Sequence, residues 1–258
     1  MTDTDPFGTP DNAPAAIPDT DDLDPVATPS PQREIEDALG TARAVLFDLD
    51  GTLADTAPDL AAAVNRMLVG RGLPLVPYET LRPVASAGAR GLLGAGFGIT
   101  PEHPDYPALR EEFLANYASD LCVETILFPG IDALLAELES RGVRWGIVTN
   151  KVESLARPLV EQLGLGTRAA CIVGGDTTPF SKPHPAPLLH AAQLLQLPPA
   201  QCLYVGDDLR DIQAGRAAGM LTIAAGFGYC GETAPASWGA DALVETTDEL
   251  IALLRELT

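Results

Sequence analysis

Positively charged side chains are scarce in this sequence. Its 258 residues include 16 Lys or Arg against 36 Asp or Glu, for a formal net charge of -20. This charge argues against a nucleic-acid partner, because phosphate backbones are bound by clustered basic residues. Long apolar runs are missing too, and the first residues lack the basic start and apolar core of a secretory signal. We therefore expect a cytoplasmic protein without a membrane partner.

Cysteine and histidine are also rare. The 4 cysteines include no Cys-x-x-Cys pair, and two of them lie in apolar segments that predict strands. We expect buried, reduced thiols, as is usual in cytoplasmic proteins. The 3 histidines, His103, His184 and His190, have no spacing typical of metal ligands. The sequence therefore predicts no imidazole-based metal site.

Acidic residues and prolines concentrate near the start of the chain. Residues 1–40 contain ten acidic residues, seven prolines and one basic residue, Arg33. Such a segment buries too little apolar surface to offset the entropy lost on ordering. The composition predicts that residues 1–32 are disordered, and a solubilising role is favoured over recruitment of a partner.

From residue 43 onward, strand and helix patterns alternate, which predicts an α/β fold with a doubly wound parallel sheet. After the first strand the alternation is interrupted by helical patterning. This predicts a catalytic core of residues 43–57 and 128–258, with residues 58–127 inserted as a helical cap that closes over the site. The predicted cap helices are Leu60–Val69, Tyr78–Leu81, Ala89–Leu93 and Ala108–Ala118.

The first predicted strand, Ala44–Phe47, leads directly into two carboxylates. Asp48 and Asp50 follow this apolar segment, and Gly51 allows the chain to turn sharply behind them. Open α/β sheets keep their active sites at the carboxyl ends of strands. Acids beside a glycine are also common in plain turns, so their assignment depends on motifs further along the chain.

Polar residues follow three further predicted strands. Thr149 and Asn150 come after the first of these, Lys182 follows the next, and Asp207 follows the last. Because the carboxyl ends of parallel strands meet at one edge of a sheet, we expect these side chains to converge with the first acidic pair.

Along the chain these groups occur as a carboxylate pair, a hydroxyl, a lysine and a second acidic cluster. Their types and order resemble the four motifs of the haloacid dehalogenase superfamily of phosphotransferases. Phosphoryl transfer needs an in-line nucleophile and positive charge around the phosphate oxygens. The resemblance implies that Asp48 is the nucleophile and that Asp50 is the general acid and base. It also implies a Mg²⁺ site formed by Asp48, the Asp50 backbone carbonyl and Asp207. The implied phosphate-binding residues are Thr149, Asn150 and Lys182.

Asp208 and Asp211 open the predicted helix that follows Asp207. Acidic residues are favoured at a helix N-terminus, so capping explains both of them. Support of the metal site from behind its ligands is the alternative, and the sequence leaves both interpretations open.

A narrower resemblance covers about residues 43–258. Four stretches of sequence resemble the phosphoglycolate phosphatase family of bacteria: DLDGTLADTAPDL, WGIVTNK, SKPHPAPLL and YVGDDLRDIQAGRAAGM. This resemblance implies a Mg²⁺-dependent enzyme that releases phosphate from 2-phosphoglycolate, a small-molecule phosphate ester. The strings LRPVASAGARGLLGAGFGI, EFLANY, AAGFGYC and WGAD also resemble the N-acetylmuramic acid 6-phosphate phosphatases of cell-wall recycling. The shared motifs do not separate the two substrates.

One feature of the cap bears on the substrate. Residues 86–90 form a stretch of small residues that ends in Arg90, at the start of a predicted helix where an anion would bind. We expect Arg90 to take part in substrate selection, although both candidate substrates carry a carboxylate. The alternative is a tight turn followed by a solvated arginine.

Other classes of function stay open. A receiver domain also uses an aspartate that is phosphorylated beside Mg²⁺, but the cap and the order of the motifs fit it poorly. A phosphomutase would keep all four motifs and return the phosphate to its product. A non-catalytic binding protein is disfavoured by the intact pair of Asp48 and Asp50.

Overall fold

The computed structural model describes Met1, residues 31–231 and residues 233–257. The segment predicted to be disordered, residues 1–32, lies outside the described residues except for Met1 and for residues 31 and 32, which begin the first helix. Its disorder stays a prediction. Of the helices in the described part of the chain, none is long and apolar enough to cross a membrane.

Six short strands form one parallel sheet, and two more form a small antiparallel pair. In chain order the strands are β1 (Ala44–Phe47), β2 (Ala54–Asp55), β3 (Ile126–Leu127), β4 (Arg144–Val148), β5 (Ile172–Val173), β6 (Cys202–Gly206), β7 (Leu221–Ala225) and β8 (Ala242–Val244). The order across the large sheet is β5-β4-β1-β6-β7-β8, and its pairs are parallel. This confirms the predicted doubly wound sheet. The strand order reverses beside β1, where such sheets have their crevice.

Helices cover the sheet and build the insertion between β2 and β3. They are α1 (Pro31–Thr41), α2 (Ala57–Val69), α3 (Tyr78–Leu81), α4 (Gly88–Phe97), α5 (Tyr106–Ser119), α6 (Ile131–Ser140), α7 (Glu153–Gln162), α8 (Ala186–Leu195), α9 (Leu209–Ala218) and α10 (Thr247–Leu254). Short 3-10 helices lie at Arg82–Ala87, Pro199–Gln201 and Pro235–Ser237.

The central strand β1 separates two parts of the core. Val45 and Phe47 pack into one buried cluster, whereas Ala44 and Leu46 pack into another. Successive side chains of a strand point to opposite faces, so both faces of the sheet are covered. A continuous apolar strand is the sequence pattern that this burial requires.

Helix α4 is longer than predicted. The sequence places its end at Leu93, because the glycines that follow have low helix propensity. In the structure it continues to Phe97 and ends at Gly98, which has a φ of 67°. A Cβ on Gly96 would lie 2.8 Å from Val64 Cγ2 of α2. Close packing of the two helices therefore favours glycine here despite its propensity.

The antiparallel pair β2–β3 lies where the chain leaves the core and where it returns. Ala54 pairs with Leu127 and Asp55 with Ile126. Buried Asp59 of α2 holds the returning segment: its carboxylate accepts hydrogen bonds from the backbone N–H groups of residues 123–125 at 2.9–3.1 Å and from Thr125 Oγ1 at 2.7 Å. The helices between these strands correspond to the predicted cap, whose exact limits stay a prediction.

Tyr229, from the loop after β7, caps the first cap helix from outside. Its hydroxyl accepts hydrogen bonds from the backbone N–H groups of Thr56 (2.7 Å) and Ala57 (2.8 Å), and it donates to Asp55 Oδ1 at 2.9 Å. Thr56 does not cap α2 with its own side chain, because its hydroxyl donates to Asp50 Oδ1 at 2.6 Å. The start of α2 therefore depends on a residue far away in the chain.

Replacing Tyr229 with phenylalanine removes this hydroxyl and keeps the ring. Two backbone N–H groups then lose their acceptor, so we expect the free energy of unfolding to fall by about 1–3 kcal/mol. Urea unfolding followed by circular dichroism measures the change. Tyr106→Phe is the matched control, because the Tyr106 hydroxyl makes no hydrogen bond to a described residue. Equal unfolding midpoints for the two variants would contradict this role of Tyr229.

Candidate active site

The predicted site residues converge at the carboxyl edge of the sheet. Together with cap residues, all of them except one line a cavity of about 350 Å³. The exception is Asp207, which is fully buried and does not line the cavity. Loops after β1, β4 and β6 supply most of the polar groups, and Lys182 comes from the segment between β5 and α8.

Asp48 lies at the end of the central strand with only 8% of its surface exposed. Its Oδ1 accepts a hydrogen bond from the backbone N–H of Leu49 at 2.8 Å and lies 3.0 Å from Lys182 Nζ. Burial raises the pKa of Asp48 to about 7, although Lys182 acts in the opposite direction. The carboxylate is thus held in place beside a cation and faces the cavity.

Lys182 is buried at the centre of the site. Its ammonium group lies 2.7 Å from Asp211 Oδ1, and it donates to the Val148 carbonyl at 2.9 Å and to the Tyr204 hydroxyl at 2.8 Å. Burial alone would lower the pKa of Lys182, but Asp211 and Asp48 together raise it. The group therefore stays a cation in the protein.

Asn150 holds the backbone that carries this lysine. Its side-chain amide donates to the Lys182 carbonyl at 2.9 Å and accepts from the Lys182 N–H at 3.0 Å. The arrangement makes Asn150 a positioning residue, and direct phosphate binding by its side chain stays a prediction. Thr149 is buried, and its hydroxyl accepts from the backbone N–H of Lys151 at 3.2 Å.

The side chain of Asp50 is held by two neighbouring side chains. Its Oδ1 accepts from Thr56 Oγ1 at 2.6 Å and lies 3.0 Å from Lys151 Nζ. Both contacts use the same oxygen, which leaves Oδ2 without a partner among the described residues. Such an acid is oriented and still has an atom available for proton transfer.

Asp207 lies at the centre of a dense set of donors. Its oxygens accept hydrogen bonds from Thr52 Oγ1 (3.0 Å), Ser86 Oγ (3.0 Å) and the backbone N–H of Tyr229 (2.8 Å). Gly51 passes so closely that a Cβ there would lie 2.2 Å from Asp207 Oδ2, and its φ is 84°. Glycine is therefore required behind the first acidic pair.

The acidic cluster is suited to a hard divalent cation. Carboxylate oxygens of Asp48, Asp207 and Asp211 lie within 4.8 Å of one another. Burial, with smaller contributions from the other two acids, raises the pKa of Asp207 well above its ordinary value. Within the described chain no cation pairs with Asp207 directly. An all-oxygen cluster with this excess of negative charge matches the ligand preference of Mg²⁺.

Asp208 and Asp211 form a capping box at the start of α9. Asp208 accepts from the backbone N–H of Arg210 at 2.9 Å, and Asp211 Oδ2 accepts from the backbone N–H of Asp208 at 3.1 Å. Capping therefore describes both residues. Asp211 also reaches the site, because its Oδ1 contacts Lys182 and accepts from the Tyr204 hydroxyl at 3.1 Å. Its support of a metal site from behind the ligands stays a prediction.

Several residues at the site were missed by sequence reasoning. Lys151, which pairs with Asp50, is one of only two lysines in the chain, and this rarity was an available signal. Tyr204 lies in a buried strand, where a hydroxyl needs a partner. Ser86 donates to Asp207, and Arg210 donates to the Ser86 carbonyl at 2.8 Å. These two contacts join cap and core, so no local pattern reveals them.

Arg90 lies in α4, on the cap side of the cavity. Its side chain is exposed to solvent and makes no ion pair with a described residue. The structure thus places it where the sequence suggested, and its role in substrate selection stays a prediction.

Comparison with known proteins gives consistent results. The family model described as haloacid dehalogenase-like hydrolase matches residues 42–219. The phosphoglycolate phosphatase of Xanthomonas campestris is 50% identical over 212 residues, which is 81% of this chain and 94% of the relative. The N-acetylmuramic acid 6-phosphate phosphatase of Pseudomonas putida is 48% identical over 209 residues, again 81% of this chain and 94% of the relative. A crystal structure described as a predicted phosphoglycolate phosphatase from Haemophilus somnus superposes with a TM-score of 0.72 at 25% identity, covering 83% of this chain and 98% of that one.

The acidic cluster leads to a prediction about stability. A carboxyl group whose pKa is raised in the folded protein stabilises the metal-free fold at pH values below its ordinary pKa. This contribution is lost as the pH rises through the pKa of the folded state, which is about 7 for Asp48. Above that pH the ionised carboxylates repel one another, and a bound cation offsets the repulsion. We therefore expect Mg²⁺ to raise the melting temperature more at about pH 8 than at about pH 5.5.

Thermal unfolding with and without Mg²⁺ measures this effect. At a concentration of about 100 times Kd, the expected stabilisation is about 2.7 kcal/mol, or roughly 5–10 °C for a domain of this size. Asp207→Asn should remove most of the shift at both pH values. A variant that retains the full Mg²⁺-dependent shift would contradict the placement of the cation at this cluster.

Proposed function

Since the chain belongs to the haloacid dehalogenase-like hydrolase family, we propose that it is a Mg²⁺-dependent phosphomonoesterase that works through an aspartyl-phosphate on Asp48. The observation that carries the proposal is the buried pair formed by Asp48 and Lys182, 3.0 Å apart beside the cavity. It combines a carboxylate nucleophile with a fixed cation, and phosphoryl transfer requires both.

In the first step, an Asp48 oxygen forms a bond to phosphorus while the bond from phosphorus to the ester oxygen breaks. The leaving alkoxide takes a proton from Asp50. In the second step, Asp50 removes a proton from water, the water oxygen bonds to phosphorus, and the Asp48 carboxylate is released with inorganic phosphate. Asp50 thus ends in the protonated state in which it began.

The surrounding residues position these two acids and the phosphate. Lys182 and Thr149 hold the phosphate oxygens, and the Asn150 amide fixes the backbone of Lys182. Thr56 and Lys151 orient Asp50 through its Oδ1. Asp48, Asp207 and the Asp50 carbonyl would hold Mg²⁺, which would offset the repulsion between the carboxylate and the phosphate.

The first candidate substrate is 2-phosphoglycolate, as the name of the Xanthomonas relative indicates. N-acetylmuramate 6-phosphate is the second, named by the Pseudomonas relative. The volume of the cavity supports the second candidate. Pockets of about 300 Å³ or more hold ligands of drug-like size, which are much larger than the two-carbon acid 2-phosphoglycolate. Both are small-molecule phosphate esters that carry a carboxylate, and Arg90 is proposed to contact that group.

A cytoplasmic location is part of the proposal. Its support is that all four cysteines are free, with Cys171 and Cys202 buried in the core. Reduced thiols of this kind are typical of a reducing compartment.

The catalytic roles are tested by two isosteric variants. Asp48→Asn should lose nearly all turnover, because an amide is not a competent nucleophile. Asp50→Asn should lose at least about 10²-fold, because proton transfer fails in both steps. Phosphate release by purified protein measures both effects, with Asp105→Asn as a surface control and the melting temperature as a check on folding. Turnover like that of the wild type in folded Asp48→Asn would exclude the mechanism.

The substrate and the metal are tested in one screen. Phosphate release is measured on 2-phosphoglycolate, N-acetylmuramate 6-phosphate and sugar phosphates that lack a carboxylate, with Mg²⁺ and after exhaustive chelation. We expect one of the two phosphate esters that carry a carboxylate to have the highest kcat/KM. We also expect chelation to abolish activity and added Mg²⁺ to restore it. Full activity after chelation would contradict the metal site. Transfer of phosphate back to the product without release would identify a phosphomutase instead.

A further inference from the structure

One face of cap helix α5 forms a wall of the cavity. Tyr106, Arg110, Phe113 and Tyr117 all line it, and their spacing along the chain places them on the same side of the helix. Three of the four are aromatic. Arg110 is the exception, an exposed cation in a wall of aromatic side chains.

Arg90 and Arg110 are the only charged residues that the segment between β2 and β3 contributes to the cavity lining, as far as the described residues show. Neither makes an ion pair or a side-chain hydrogen bond with a described residue. Arg90 acts only weakly on Glu102: hydrogen bonds from Thr100 and from the Glu102 backbone lower the pKa of Glu102 more than Arg90 does.

This lack of partners is unusual in the described part of the chain. Every other arginine whose side chain the structure describes donates to a carboxylate or a backbone carbonyl, or forms an ion pair with a carboxylate. These are Arg43, Arg66, Arg71, Arg82, Arg141, Arg144, Arg157, Arg168, Arg210, Arg216 and Arg255. In a chain with 36 acidic residues, two arginines without partners that share one cavity indicate an anion from outside the protein.

The floor of the cavity differs in this respect. Each of its cations is already paired with a floor acid: Lys182 with Asp48 and Asp211, Lys151 with Asp50, and Arg210 with Asp208. The separations are 2.7–3.0 Å. The positive charge left over for a ligand therefore lies on the cap side, away from the proposed site of phosphoryl transfer.

Tyr117 provides a second and independent sign of a ligand. Only 1% of its surface is exposed, and its hydroxyl has no hydrogen-bond partner among the described residues. Lys151 Nζ lies 4.4 Å from the centre of its ring, in a cation-π contact. A buried hydroxyl without a partner destabilises a protein, so a ligand group that pairs with it in the cavity is favoured.

We propose that Arg90 and Arg110 together form an anion subsite that binds a carboxylate at the end of the substrate opposite its phosphate, with the Tyr117 hydroxyl bonded to a polar group between the two ends. The proposal rests on the phosphomonoesterase function above and adds Arg110 as a specificity-determining residue. Guanidinium groups are well suited to a carboxylate, because their planar donors match its two oxygens.

The test uses substrate pairs that differ in the carboxylate. N-acetylmuramate 6-phosphate is compared with N-acetylglucosamine 6-phosphate, and 2-phosphoglycolate is compared with ethyl phosphate. For each pair we measure kcat/KM for the phosphate ester with a carboxylate and divide it by kcat/KM for the phosphate ester without one. This ratio is compared in the wild type, Arg90→Gln, Arg110→Gln and Arg110→Lys. Arg141→Gln is the matched control, because it removes one positive charge from the surface of the core.

We expect the wild type to prefer the carboxylate member of at least one pair. Arg90→Gln and Arg110→Gln should each lower that ratio by about 10-fold to 100-fold, mainly through KM, whereas Arg110→Lys should retain part of it. Arg141→Gln should retain all of it. Equal losses on both members of a pair would overturn the proposal, because they would mean that the arginine supports the cap. A preference for sugar bisphosphates in place of carboxylates would overturn it as well.

Failure of the subsite is distinguishable from failure of the proposed function. Hydrolysis of p-nitrophenyl phosphate without any preference for carboxylates would refute the subsite and leave the phosphatase intact. If no ester is hydrolysed, the affinities of the wild type and of Arg110→Gln for N-acetylmuramate 6-phosphate are compared by calorimetry. Weaker binding to the variant would support the subsite, and equal binding would overturn it.

Discussion

One buried ammonium group determines the arrangement of the site. Lys182 contacts Asp48 after β1, Asp211 in α9, the last carbonyl of β4 and the hydroxyl of Tyr204 in β6. A buried charge that loses its partners destabilises a protein by several kcal/mol, so these elements are held in one relative position. Asp211 shows how tightly the constraint applies, because one of its oxygens serves the lysine and the other caps its own helix.

The predicted cap reaches into this arrangement at Asp207, the proposed metal ligand. Ser86 of the cap donates to Asp207, and Arg210 of the core donates to the Ser86 carbonyl. Because these two bonds cross between cap and core, a movement of the cap would change the surroundings of Asp207. Asp50, by contrast, is held from within the predicted core by Thr56.

The distribution of the few cations agrees with an anionic substrate. Both lysines of the chain lie at the site, although its net charge is -20. On the floor they are paired with carboxylates, among them the proposed metal ligand Asp48, whereas on the cap side Arg90 and Arg110 remain without partners in the described structure. A chain with this net charge does not attract anions in general, so the proposed binding of an anionic substrate would depend on these few groups and on the proposed metal.

The sequence by itself determined the parallel sheet and several of its local elements. Strand β1 has the predicted limits, Asp48 and Asp50 follow it, and helix α3 begins and ends as predicted, because apolar periodicity and strand-end motifs are local properties. Only the tertiary structure decided what pairs across long distances in the chain. The Ser86–Asp207 bond spans 121 residues, and the bond from Thr56 to Tyr229 spans 173. No local pattern encodes such pairs, since they exist only when the folded chain brings the two groups together.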